Sequence, residues 1–139
     1  MKFATRIAVL LLALLSLLSF VACGGIRTTG VWASAIHATD KELGEGAKTV
    51  TVDITAEGQT LSFVIHTDKE TLAEAMQEHR LIQDENGLIH TVNGIKADWN
   101  DGGWWWKFTK NGEMMMEGAA TTAIANGDHY EFTRTNVFD

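Results

Sequence analysis

The sequence reads as a small α+β domain, a mixed sheet packed on one helix. Three patterns lead there. Residues 48–65 alternate apolar and polar side chains on either side of a glycine-bearing connection, as a hairpin does. Residues 68–80 carry apolar side chains at helical spacing. From residue 81 onward, short apolar runs are separated by Asn-Gly and Gly-rich segments, the punctuation of further strands. A hairpin, one crossover helix and a run of strands suit a small sheet curled over that helix.

Taken in order, the elements have local reasons. Val50, Val52 and Ile54 alternate with Thr51, Asp53 and Thr55, which makes a half-buried strand. Ala56-Glu57-Gly58-Gln59 connects it to a second strand carrying Leu61, Phe63 and Ile65. Thr67 and Glu70 have the spacing of a capping box, which predicts a helix over about 68–80. Leu72, Ala75, Met76 and His79 then form its apolar face, with Glu74, Gln77, Glu78 and Arg80 toward water. Leu81–Gln83 and Leu88–Val92 read as strands around Glu85-Asn86-Gly87. Asn93-Gly94 and Asn111-Gly112 favour tight hairpin turns, because both residues of such a pair tolerate positive φ. Trp104–Lys110 is an aromatic strand, Met114–Met116 a short strand leading to Gly118, and Tyr130–Thr133 the last strand after Asn126-Gly127-Asp128.

The first residues carry a different message. Lys2 and Arg6 precede Ile7–Phe20, an uncharged apolar run interrupted only by two serines. That run is short of the ~20 apolar residues a membrane span needs, and it suits the core of a signal peptide. Val21-Ala22-Cys23-Gly24-Gly25 follows and resembles the lipobox of bacterial lipoproteins, with Phe20 where that pattern usually has Leu. The resemblance implies cleavage before Cys23, lipidation of its sulfur, and attachment to the outer face of the cell membrane. The expected organisation is a signal peptide at 1–22, a tether and partly packed arm at 23–42, and a domain at 43–139.

Composition narrows the function. The chain has one cysteine, so its core must stand without an internal disulfide. The net charge is −7, and residues 1–22 hold two of the 11 basic residues and none of the 18 acidic ones. The remainder therefore has nine basic against 18 acidic residues, a net charge of −9. Such a surface argues against nucleic acid and against adhesion to anionic lipid, both of which need basic patches.

The segments TLAEAMQEHRLI (71–82), TVNGIKADW (91–99), WWWKFTKNGE (104–113) and EGAATTAIANGDHYEF (117–132), with LGEGAKTVTV (43–52) before them, carry a family resemblance. They resemble the bacterial domain of unknown function related to the C-terminal β-domain of transcobalamin and intrinsic factor. The likeness covers about 43–133. It implies a β-grasp-like fold, and it makes cobalamin a possible ligand, because in the animal carriers this domain closes over cobalamin beside a larger helical domain. It also implies that Trp106 and Phe108 are structural.

Among candidate functional residues, the aromatic stretch stands out. On a strand Trp104 and Trp106 share one face and Trp105 takes the other. Core and sheet-surface packing explains this; a stacking surface for a ligand also does. Trp99 and Trp105, flanking Asp101-Gly102-Gly103, are the ligand-binding candidates, with Gly102 and Gly103 allowing close approach and Met115 extending the apolar surface. In a strand, one or two of Met114–Met116 must point outward. His37, His66, His79, His90 and His129 are scattered without metal-ligand spacing, so no metal site is assigned. Asp98-Asn100-Asp101 lacks the further ligands calcium needs. No nucleophile signature appears, and the domain is expected not to be an enzyme. The expected function is an exported, lipid-anchored small-ligand binding module with no cofactor of its own. The alternative is a cell-envelope protein-interaction or adhesion module without a small-molecule ligand.

Replacing Cys23 with Ser should release the protein from membranes or leave an unprocessed precursor, since sulfur carries the lipid. Membrane fractionation and the apparent mass of the product check this; unchanged processing and retention would exclude the anchor.

Overall fold

The computed structural model describes residues 26–85 and 87–138; the leader at 1–22 and Cys23 lie outside them. No helix among the described residues is long and apolar enough to cross a membrane. A 3-10 turn at Gly30–Ser34 precedes β1 (Lys41–Leu43), β2 (Lys48–Ala56), β3 (Gln59–Thr67) and helix α1 (Leu72–Gln77). Then follow β4 (Ile82–Glu85), β5 (Leu88–Val92), β6 (Ile95–Lys96), β7 (Trp105–Lys110), β8 (Glu113–Met114) and β9 (His129–Thr135).

The strands form two sheets, where a single one was expected. A six-stranded mixed sheet has the order β1-β3-β2-β9-β7-β8, and a three-stranded antiparallel sheet has the order β4-β5-β6. The reason is local. After α1 the chain meets two short reversals, and β4, β5 and β6 pair with their sequence neighbours; the register between β4 and β5 slips at Gln83/Asp84, a bulge that bends the small sheet. Asn93 (φ 51°) and Gly94 (φ 78°) make the β5–β6 turn, and Asn111 (φ 51°) and Gly112 (φ 81°) make the β7–β8 turn. Both are the left-handed pairs that match strand twist.

In the large sheet, β2 pairs β3 antiparallel over its whole length and β9 parallel, with Val52 opposite Tyr130 and Ile54 opposite Phe132. One face of these strands is buried: Val50, Val52 and Ile54 on β2, and Leu61, Phe63 and Ile65 on β3. Leu72, Ala75 and Met76 of α1 belong to the same buried cluster, as the apolar spacing required.

The helix is shorter than the sequence suggests, and its cap is Thr71 in place of Thr67. Thr71 Oγ1 accepts from the Glu74 N–H at 3.3 Å, while the Glu74 carboxylate accepts from the Glu70 N–H at 3.3 Å. Thr67 is fully buried as the last residue of β3, paired with Lys48, so strand pairing claims it. At the other end Arg80 takes φ 57°, and the N–H groups of Leu81 and Arg80 donate to the carbonyls of Met76 and Gln77. That is a Schellman closure without glycine, which explains why no punctuation marked it.

The arm before β1 is stitched to the domain at two buried points. Trp32 is 1 % exposed, and its indole N–H donates to the Ala56 carbonyl at 2.8 Å. Asn93 is fully buried; its side chain accepts from the His37 N–H at 3.0 Å and donates to the His37 carbonyl at 2.9 Å. The Asn93 backbone carbonyl accepts from the Ile36 N–H at 2.9 Å as well. Leaving buried polar groups unmet costs about 1–3 kcal/mol each. Asn93→Ala should therefore lower stability by about 3 kcal/mol in urea denaturation, more than an exposed Asn126→Ala. A loss below about 1 kcal/mol would mean that Trp32 and the backbone bonds hold the arm without the Asn93 side chain.

Candidate functional site: an apolar cavity between the two sheets

Strand alternation builds the floor of the site. On β7, Trp106 and Phe108 turn to the buried side and Trp105 and Lys107 to the other. Register places Phe108 opposite Phe132 of β9, and their rings stack with centroids 4.8 Å apart at 9°. Behind them lies Tyr130, whose hydroxyl is pushed well above the ordinary range by burial and by its hydrogen bond to Asp128. Opposite this floor stand Leu88, Ile89 and His90 of β5, with Ile82 and Ala97 beside them. The two sheets are tied by the Trp106 indole N–H, which donates to the His90 carbonyl at 3.2 Å. Between them remains a cavity of about 470 Å³, within the ordinary range of small-molecule sites.

Residues 114–120 make the third wall. β8 ends at Met114 and the chain bends, so strand alternation no longer applies and Met114, Met115 and Met116 all line the cavity. The strand is shorter than expected, and of the three methionines Met115 packs against the core while Met114 and Met116 are exposed, as the sequence required of one or two of them. Met115 is held by its N–H to the Phe108 carbonyl at 3.0 Å, while Met116 is 97 % exposed, so the wall is open to solvent there. The wall is moored to α1 where the Ala73 N–H donates to the Ala119 carbonyl at 3.1 Å, and the Thr122 hydroxyl closes the turn on the Gly118 carbonyl at 2.9 Å.

The sequence candidates fall into two groups. Trp99, Trp105 and Met115 line the cavity. Gly102 and Gly103 do not; they belong to a self-contained turn in which the Gly103 N–H donates to the Trp99 carbonyl at 3.1 Å and the Trp104 N–H to the Asp98 carbonyl at 3.2 Å. Their φ angles of 91° and 71° are what that turn requires of glycine. Asp98 completes the turn by accepting from the Asn100 N–H at 2.9 Å. Phe138 stacks on Trp105 at 5.1 Å and 10° and meets Trp99 edge-on at 5.5 Å. The Trp105 indole N–H is buried with no hydrogen-bond partner among the described residues. Leu88, Ile89, His90 and Ala119 were not foreseen, because no local pattern tells which strand of a second sheet will face β7.

Charge around the cavity is one-sided. Asp84, Glu117 and His90 are titratable lining residues, and among the described residues no lysine or arginine lines it. Arg134 sits beside it, its guanidinium 4.0 Å from the Trp104 ring centroid and its Nε–H donating to the Lys96 carbonyl at 2.9 Å. Burial lowers the Arg134 pKa, against opposing pulls from Glu57 and Asp101. Elsewhere, the outer face of the large sheet carries two hydroxyl–imidazole–carboxylate groups. Thr49 Oγ1 lies 2.9 Å from His66 Nδ1, and His66 Nε2 lies 2.6 Å from Glu42. Asp53 accepts from Ser62 and pairs with His129 Nε2 at 2.7 Å. Both link neighbouring strands, and in the second the carboxylate separates hydroxyl from imidazole. Among the described residues, no group of three or more His, Cys, Asp or Glu side chains could hold a metal ion.

Residues 69–136 match the model of a family described as a domain of unknown function (DUF4430). That span holds the whole cavity lining, which runs from Ala73 to Phe132. A crystal structure of a Ruminococcus gnavus protein, provisionally described as metal binding, is 29 % identical, with a TM-score of 0.62 over 66 % of this chain and all of that one. Haptocorrin in complex with Cbi is 17 % identical, with a TM-score of 0.55 over 66 % of this chain; the chain spans a quarter of haptocorrin's length. The likeness to haptocorrin is one of fold. A comparison with curated proteins found no match.

Trp106 is 7 % exposed and bridges the sheets, whereas Trp105 is half-buried under Phe138. Trp106→Ala should cost about 3–5 kcal/mol, the usual range for a buried aromatic, and Trp105→Ala several times less. Chemical denaturation of both variants measures the ratio; equal losses would contradict the facing of β7.

Proposed function

We propose that this chain is an exported, lipid-anchored, non-enzymatic module that binds a small apolar ligand in the cavity between its two sheets. The observation that carries the reading is the cavity itself. It is about 470 Å³ in size and walled by indoles and thioethers, beside a core in which the inward-facing aliphatic side chains of β2 and β3 are fully packed. A protein fills its interior when nothing else is meant to occupy it. Anchoring through Cys23 rests on the sequence before the domain. The parallel β2–β9 pair beside the β2–β3 hairpin supports a β-grasp-like description of the large sheet.

Corrinoid is the ligand class favoured by the resemblance, and haptocorrin, which shares the fold, is a complex with Cbi. One domain covers one side of such a ligand, so affinity should be about micromolar, near −8 kcal/mol. A second reading, an envelope protein-interaction module, draws on exposed apolar side chains around the opening: Leu88 is 67 %, Met116 97 % and Phe138 71 % exposed.

Calorimetry with cobalamin and cobinamide on the full lipid-free domain tests the corrinoid reading. The expected result is micromolar binding that weakens about tenfold, roughly 1.4 kcal/mol, in Trp105→Ala. Absence of heat from both ligands ends the corrinoid version. Binding that survives Trp105→Ala intact puts the ligand elsewhere.

A further inference from the structure

We infer that the cavity selects organic cations, ligands that join a bulky apolar body to a positive charge spread over or shielded by carbon, such as an aryl-substituted ammonium or phosphonium. This rests on reading the cavity as a small-ligand site, and it adds the sign of the ligand's charge.

The lining argues for that sign. Trp99, Trp104, Trp105 and Trp106 all contribute to it. An indole face is electron-rich and attracts a cation lying over it, while the adjoining methionine sulfurs are polarizable and adapt to an irregular apolar body. The chain already seats a cation against one of these residues, with the Arg134 guanidinium 4.0 Å from the Trp104 centroid. Among the described residues, the ionisable lining side chains are Asp84, Glu117 and His90, with neither lysine nor arginine. Two basic groups beside it are engaged, Arg134 with Trp104 and the Lys96 carbonyl, and Lys96 with Asp98 at 3.7 Å. An anion entering the cavity would lose water and meet electron-rich rings and two carboxylates. A hydrophobic cation loses little hydration and meets both favourably. The chain's net charge of −7 acts in the same direction at longer range.

Tetraphenylphosphonium and tetraphenylborate have nearly equal shape and opposite charge, and triphenylphosphine oxide, one phenyl smaller, is the neutral reference. Each is titrated by calorimetry against the full lipid-free domain. The phosphonium should bind about tenfold or more tightly than the oxide, and the borate more weakly than either. In the Asp84→Asn/Glu117→Gln double variant the phosphonium-to-oxide affinity ratio should fall at least about threefold. Both carboxylates are exposed, so the ratio should also shrink as salt shortens the Debye length from about 30 Å toward 3 Å. Oxide binding with no preference for the phosphonium, or with a preference for the borate, overturns the charge selection and leaves the cavity as a ligand site. Failure of all three probes to bind overturns the charge selection; the small-ligand reading falls with it only if cobalamin and cobinamide also give no heat.

Discussion

Strand β9 lies between β2 and β7, parallel to the first and antiparallel to the second, and the rest of the molecule is arranged around that insertion. Its entry is set by the 126–128 turn. The Asn126 side chain accepts from the Thr49 N–H at 2.7 Å, the Gly127 N–H donates to the Thr49 carbonyl at 2.8 Å, and the Asp128 carbonyl accepts from the Thr51 N–H at 2.9 Å. Asp128 itself is held by Tyr130 at 2.7 Å and Lys110 at 3.4 Å; burial works against its ionised form, but these donors and the Ala125 N–H bring its pKa below the ordinary value. With that register fixed, Ile54, Phe132 and Phe108 fall in one row across three strands. A slip of one residue would turn Phe132 and Tyr130 to the solvent face and leave the cavity without a floor.

The cavity follows from how the second sheet is made. β4, β5 and β6 pair by short local reversals, so their assembly needs no long loop closure and no partner in the large sheet. They approach β7 through Trp106, whose hydrogen bond to His90 spans the gap. The indoles and methionines line much of what is left. The elements around the opening are correspondingly slight: β6 and β8 have two residues each, and β4 is bulged. Weakly paired elements of this kind open at low free energy, which suits entry of a ligand into a site otherwise backed by the rigid sheet.

The β2–β3 hairpin was legible because alternation at period 2 is a direct image of burial on one face, and Val50, Val52 and Ile54 repeat it without interruption. The Asn-Gly turns were legible because few residue pairs accept positive φ twice. The helix cap was not, since Thr67 and Thr71 each precede a glutamate by three residues, and the choice depends on β3 burying Thr67. Arg80 in a left-handed conformation likewise had no local sign. The weight of Trp32 was hidden too: its pocket is assembled from β2, far along the chain, where the Ala56 carbonyl receives its N–H.

By itself, then, the sequence determined the alternating strands, the apolar helix face, the tight turns and the two-sidedness of Trp105 and Trp106. Each of these is a property of a few neighbouring residues acting through backbone sterics and one-sided burial. Only the tertiary structure decided that the strands divide into two sheets and that the arm is clipped to Asn93. It alone decided that Met115 packs inward while Met114 and Met116 stay exposed at the opening, and that Asp84, Glu117 and His90 line the same cavity as the tryptophans. These are contacts between segments distant in sequence, selected by what each face can bury against once β9 has been inserted, and no period in the chain encodes them.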